Sequence, residues 1–284
     1  MTDTFLQQGL SELHPTLAQC RVEFSLSGTA NQVFKARVGE QLLAVRMMSV
    51  VRDAATPRKA EHEVWLTLQH RDLAPELFHW DSNHQFCIAK WIDSAGVPLA
   101  NELIQLLVKL HTSPIPASCP KIDLLMGSKL YLDELALPIK PFIDHFQRLL
   151  NALALSQLSH SLCHNDLVAG NIIKDGSQLW LIDFEYSGIN HPYFDLCSSW
   201  NSFINADESL NAFAQRYLVA IGEEFNDTEQ AALAAAHELS LWVGLLWALA
   251  KQPSWQEDYR KPLSEIDNSV TQQLLHSLMQ LAIL

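Results

Sequence analysis

Positive charge is scarce in this chain: 19 Lys and Arg stand against 32 Asp and Glu, a formal net charge of −13. A nucleic-acid partner would call for a basic footprint, so that class is excluded, whereas an acidic balance suits a cationic small molecule. Cysteine is also sparse. Cys20, Cys87, Cys119, Cys163 and Cys197 are scattered, odd in number and free of CxxC spacing, which reads as reduced core thiols in a cytoplasmic protein. Long apolar runs are missing: the longest, Leu239 to Ala250, is twelve residues and is interrupted by Ser240 and Gly244. That is too short to span a bilayer, so no membrane association is expected. The N-terminal MTDTFLQQGL lacks the basic and apolar regions of a signal peptide, and the chain carries neither an internal repeat nor a low-complexity tract. What is left is an ordinary soluble composition, 48% hydrophobic and 18% charged over 284 residues, enough for one large or two modest domains.

The most informative stretch runs from Leu162 to Phe194. Two short strand candidates, Asn171 to Lys174 and Leu179 to Ile182, flank Asp175-Gly176-Ser177, a polar, Gly-containing hairpin turn. Asp166 precedes the first strand, Asn171 begins it and Asp183 follows the second. An antiparallel pair returns the chain to its start, so Asp183 is expected near Asn171 and the Asp166 loop. One amide and two carboxylates gathered there can hold Mg²⁺ and orient a hydroxyl.

HNDLVAGN and LIDFEYSG resemble the catalytic and metal loops of the aminoglycoside phosphotransferase/choline kinase superfamily, and IDFEYSGINHPYFDL is similar to choline/ethanolamine kinases and bacterial thiamine kinases. The resemblance implies Asp166 as catalytic base and Asn171 and Asp183 as Mg²⁺ ligands. It also implies an α+β, bilobal protein-kinase-like fold. A small antiparallel five-stranded sheet with one long helix would occupy residues 1–92, and a larger, mainly helical lobe residues 93–284. ATP and Mg²⁺ are the implied cofactors, and the implied acceptor is a small cationic alcohol. Phosphoryl transfer needs charge neutralisation and an aligned acceptor more than covalent chemistry, which is what these residue types supply.

From the N-terminus, a helix over 3–20 precedes strands at Arg21 to Leu26, Gln32 to Val38 and Gln41 to Met47, each alternating with period two. The small-residue loop between the first two is similar to the family's glycine loop and implies nucleotide contacts at Gly28 and Asn31. In the third strand Arg46 takes the phosphate-contacting place, where a planar fork can pair bidentately with phosphate. Thr56-Pro57 opens a helix to about Gln69. Glu61 and Glu63 are alternatives for the acid that pairs with Arg46, and Glu63, preceding Val-Trp-Leu, fits the family pattern better. A strand from Phe86 to Ile92 reaches the hinge, implying adenine contacts by backbone at Lys90 and Ile92.

Further helices are expected ending at His111, after Pro141, and over 208–221, 228–251 and 263–282, the second of these opened by a cap at Asp227 with Gln230 three residues on. Family likeness makes Asp195 an organiser of the loops, and Glu185, Tyr186 and Trp242 candidates for acceptor contact. Indole faces suit a quaternary ammonium or thiazolium. Trp242 and Trp247 point roughly 140° apart on one helix, so at least one belongs to the core. Thiamine and choline are the acceptors the resemblance points to, with thiamine slightly favoured. An aminoglycoside or other amino alcohol, and a nucleotide-binding regulator without turnover, are the alternatives. A metallohydrolase built on His164, Asp166, Asp183 and His191 is a third, lacking helical His spacing such as HExxH.

Overall fold

Alternation in the first third of the chain builds a sheet. The computed structural model describes residues 10, 12–27, 31–49, 57–204 and 207–280. It forms β1 (Arg21–Ser27), β2 (Asn31–Val38), β3 (Gln41–Met48), β4 (Leu77–Trp80) and β5 (Phe86–Lys90) into one antiparallel sheet ordered β1-β2-β3-β5-β4. β2 and β3 pair without a break from Asn31–Met48 to Val38–Gln41, and the tight turn between them uses Gly39 at φ +57°, which costs glycine little. Cross-strand partners share a face. One face carries Phe34, Ala36, Leu43, Val45, Phe86 and Ile88 into a core with Leu10, Leu17 and Cys20. The opposite face carries Arg46, paired with Val33 and Cys87. Of the helix expected over 3–20, residues 3–9 and 11 lie outside the described residues, as do Gly28 and Thr56; the described part holds no helix running to residue 20 and carries a 3-10 turn at Pro15–Leu17.

α1 (Arg58–Gln69) buries Ala60, Glu61, Val64, Trp65 and Leu68, a single stripe along the helix. The Trp65 indole donates to Pro75 O at 2.8 Å and meets Phe184 edge-on at 5.5 Å. Phe184 follows the hairpin of β7 (Ile172–Asp175) and β8 (Gln178–Leu181), registered Ile172 to Leu181. Leu181 N–H donates to Leu73 O at 2.7 Å and Ala95 N–H to Lys174 O at 2.7 Å. These bonds explain why the chain divides discontinuously. One unit comprises Met1–Pro98, Thr112–Pro120 and Gly170–Ser187; the other comprises Leu99–His111, Lys121–Ala169 and Gly188–Leu284. The expected boundary at residue 92 gives way to this three-part unit because the hairpin bonds to the segments around Leu73 and Ala95.

The second unit holds α2 (Ala100–His111), α3 (Leu124–Glu134), α4 (Ile139–Leu153), α5 (Tyr193–Phe203), α6 (Leu210–Ile221), α7 (Asp227–Lys251), α8 (Gln256–Ser264) and α9 (Ser269–Gln280). β6 (Ser161–Cys163) and β9 (Gly188–Asn190) pair beside them. α7 is the axis, packed by α3, α4, α5 and α8. By length and composition it could cross a membrane, unlike the twelve-residue run read from the sequence. Within the fold, 67% of its most apolar window is buried. Its cap is Asn226, not Asp227: the Asn226 Oδ1 accepts from Glu229 N–H at 3.0 Å, one residue earlier than expected. The single helix expected over 263–282 is two, because Asn268 turns its Oδ1 to the Val270 N–H at 3.0 Å and restarts the chain.

Candidate active site

In the first unit, β3 and α1 bring a cation against buried acids. Arg46 Nη1 lies 2.6 Å from Glu61 Oε1, and Nη2 lies 2.7 Å from Asp183 Oδ1 and 3.5 Å from Glu185 Oε2. Burial by itself would lower the Arg46 pKa, but Asp183 and Glu61 together hold it above the ordinary guanidinium value. Arg58 Nη1 takes the other Glu61 oxygen at 2.8 Å. Burial pushes the Glu61 carboxyl up, and the combined pull of Arg46 and Arg58 more than reverses this, leaving it below the usual carboxylate range. The Arg46 partner is therefore Glu61, which is 0% exposed, and not Glu63. Two residues along a helix is a turn of about 200°, so the neighbours face opposite ways. Glu63 accepts from the Ser118 hydroxyl and approaches Lys59.

Asn31, at the start of β2, donates through Nδ2 to Glu185 Oε2 at 3.3 Å and accepts from the Ser49 N–H at 3.4 Å. Glu185 is buried here on the Arg46 side. Burial and the charge of Asp183 raise its pKa against the pull of Arg46 and Asn31. Its neighbours are those of the phosphate-side cation, a different setting from the acceptor contact expected of it. Tyr186, next along, is half-buried at the end of the same turn. At the hinge, Lys90 N–H donates to Glu76 O at 2.7 Å and Trp91 N–H to Leu42 O at 3.0 Å. Those two N–H donors are committed to backbone carbonyls and are not open to adenine; Ile92 lies just beyond them, buried.

The hairpin returns Asp183 to the neighbourhood of Asn171. Ile182 N–H donates to Asn171 O at 3.1 Å, so the residue before Asp183 is bonded to Asn171 itself. Asp183 holds φ +65°, a left-handed conformation uncommon outside glycine and characteristic of functional loops. Its side chain is 36% exposed, while Asn171 is buried. Both offer hard oxygen donors, the chemistry that Mg²⁺ takes.

Asp166 belongs to the second unit, on the loop that leaves β6, and is half-buried. Asn165 beside it is also left-handed, at φ +63°. Its Oδ1 accepts from Asn190 Nδ2 at 2.7 Å. The wholly buried Asp195 accepts the backbone N–H of His164 at 2.8 Å and of Asn165 at 2.7 Å, the organising part implied for it. His191 Nδ1 accepts from the Tyr193 N–H at 3.2 Å, and burial holds its pKa down at about 3. That nitrogen serves the local turn.

Trp242 is core, contrary to its place among the acceptor contacts: it is 0% exposed, with Phe142 at 5.6 Å and Phe146 at 6.2 Å between ring centroids. α4 turns its aromatic stripe to that side of α7. Trp247, on the other side, meets Trp255 at 5.7 Å. The residue that sequence reasoning missed is Tyr259 on α8. Burial, then the negative charge of Asp166 and Asp258, pushes its phenol up to about 12, so its ring shares the surroundings of Asp166. Gly244 of α7 makes room for it: a Cβ at 244 would run into the Tyr259 ring. A glycine amid the bulky residues of α7 was the available signal.

Residues 22–235 match the family model described as "Phosphotransferase enzyme family". Ethanolamine kinase 2 of Rattus norvegicus is 27% identical over 212 residues, covering 67% of this chain and 55% of that protein. The chain thus spans little more than half the length of the curated relatives it matches. Among solved structures, a choline/ethanolamine kinase family protein from Mesorhizobium loti is similar with a TM-score of 0.72 and 20% identity, over 98% of this chain and 99% of that one. APH(2")-IIa, in a ternary complex with streptomycin and ATP, is similar with a TM-score of 0.61 and 18% identity, over 99% and 97% of the two chains. At such identities the likeness is one of fold.

Proposed function

The chain belongs to the phosphotransferase enzyme family, and from that premise we propose that it transfers the terminal phosphoryl group of ATP to the hydroxyl of a small cationic alcohol. The observation that carries this reading is Arg46, a buried guanidinium braced from behind by Glu61 while its second nitrogen reaches Asp183. A cation so held is fixed for an incoming phosphate and can exchange its bond to Asp183 for one to the nucleotide. Asn171 and Asp183 would hold Mg²⁺, which when bound supplies charge neutralisation to the phosphates. With Asp183 turned to that task, Arg46 keeps Glu61 and Glu185 as its counter-charges. Ile92 is our choice for the hinge contact to adenine. Asp166 acts as the base that orients the acceptor hydroxyl and takes its proton, and Tyr259 borders the acceptor.

Ethanolamine or a choline-type amino alcohol takes first place as acceptor over thiamine, because ethanolamine kinases are among the relatives. A negatively charged, aromatic-bordered acceptor site attracts a cation whichever alcohol it carries. The five cysteines are buried thiols not joined in disulfides, which supports a reducing, cytoplasmic setting. The test is ADP release from Mg·ATP with no acceptor, ethanolamine, choline, thiamine, homoserine or an aminoglycoside. Stimulation by one cationic alcohol well above the empty control is expected. Nucleotide binding with no stimulation by any acceptor would reject the kinase reading in favour of a regulator.

A further inference from the structure

The loop that carries Asp166 is held by a chain of hydrogen bonds that runs deeper than Asp195. Beyond the two backbone N–H groups it accepts, Asp195 Oδ2 faces His111 Nε2 at 3.2 Å. His111 closes α2, and its Nδ1 lies 2.8 Å from the Tyr217 hydroxyl of α6. The side chains concerned are almost wholly inside: Asp195 is 0% exposed and Tyr217 1%. Cys163 of β6 completes the cluster, its sulfur lying within 4.8 Å of the His111 and Asp195 ligand atoms.

The direction of this chain follows from donor and acceptor counts. An ionised carboxylate only accepts, so His111 Nε2 must carry a proton to bond Asp195. Burial foremost, with the charges of Cys163 and Asp195 adding, raises the pKa of the Tyr217 phenol, so it keeps its proton. Buried polar groups are costly unless paired, and among the described residues the proton's partner is His111 Nδ1. The phenol therefore donates to Nδ1, and the imidazole is the neutral Nε2–H tautomer. Every bond then points one way: Tyr217 to His111 to Asp195, where the backbone N–H groups of His164 and Asn165 also arrive.

We propose that Tyr217 is a positioning residue: its hydroxyl sets the His111 tautomer and, through Asp195, fixes the backbone of the loop that bears Asp166. Asp195 then receives three donors at once, and the left-handed Asn165 is kept in its uncommon conformation directly before the base. Without the hydroxyl, Nδ1 has no donor. The proton can move to Nδ1, which turns an Nε2 lone pair toward the Asp195 carboxylate and loosens the loop it anchors. The catalytic consequence rests on the role proposed for Asp166; the hydrogen-bond chain does not.

The test is Tyr217→Phe, followed by steady-state kinetics and by nitrogen-15 NMR of histidine-labelled full-length protein. Expected is a fall of about tenfold in kcat with both KM values within about twofold, as a misplaced group gives. A shift of the His111 nitrogens away from the Nε2–H signature and faster amide exchange at His164 and Asn165 should accompany it. Wild-type kcat in the variant, or an unchanged His111 tautomer, would overturn the proposal. The wild-type spectrum decides independently of the variant's folding: an Nδ1–H or doubly protonated His111 in the native protein also overturns it. The spectra need no substrate, so an inactive protein with the expected tautomer would count against the kinase reading alone.

Discussion

Replacing Glu61 by Ala tests the buried cation cluster at its firmest point. The Glu61 side chain is 0% exposed and is held by Arg46 at 2.6 Å and Arg58 at 2.8 Å. Removing one partner of a buried pair costs about 3–5 kcal/mol. Arg46 retains Asp183 and Glu185, so the lower end applies, about 3 kcal/mol. With a urea slope of roughly 2 kcal/mol per molar, the unfolding midpoint of the first unit should fall by about 1.5 M. Glu63→Ala is the control; its side chain is 37% exposed, and its stability should stay within about 0.5 kcal/mol of wild type. The pH dependence has a defined sign. The folded-state pKa of Glu61 is depressed, so its stabilisation is present above the unfolded carboxyl value of 4.5 and is lost as pH falls through the lower folded value. The gap between wild type and Glu61→Gln should therefore close in acid. Equal midpoints for Glu61→Ala and Glu63→Ala at neutral pH would refute the reasoning.

Asp183→Ala removes a proposed metal ligand, and titration calorimetry of ADP should then show the same affinity with and without Mg²⁺; a persisting metal effect counts against the assignment. Asp166→Asn should lower kcat by about 10²–10⁴-fold while ADP affinity stays within about twofold, and a fully active variant would sink the base. Gly244→Ala drives a methyl group into the Tyr259 ring. The acceptor KM should rise about tenfold with the ATP KM unchanged, and an unchanged acceptor KM would remove Tyr259 from the acceptor site.

The sequence made the sheet and hairpin legible because each depends on local alternation and on one turn. Arg21 to Met48 shows its period in the apolar residues themselves, and Gly176 marks the bend that returns Ile182 to Asn171. Glu61 was harder, since two neighbouring acids compete on one helix. The stripe it shares with Val64 and Leu68 carried the answer, because those residues lie three and seven positions on and so on the same side. The hinge donors could not be read: Lys90 is engaged by Glu76 and Trp91 by Leu42, pairings decided by strand order rather than by the residues themselves. Trp242 and Trp247 were distinguishable only through α4, whose Phe142 and Phe146 decide which indole is covered.

The discontinuity of the first unit bears on the order in which the protein can assemble during synthesis. The five strands are complete once residue 98 has been made, yet Phe184, the ring set against Trp65, and the hairpin that bonds to Leu73 and Ala95 are encoded some ninety residues later. At about 5–20 residues per second, the sheet waits roughly 5–18 seconds on the ribosome with that side of α1 uncovered. The segment made in the interval contributes α2, α3, α4 and β6 to the other unit. Neither unit is finished before the other has begun, and a nascent chain with only residues 1–98 free to fold would hold a sheet without its last supports.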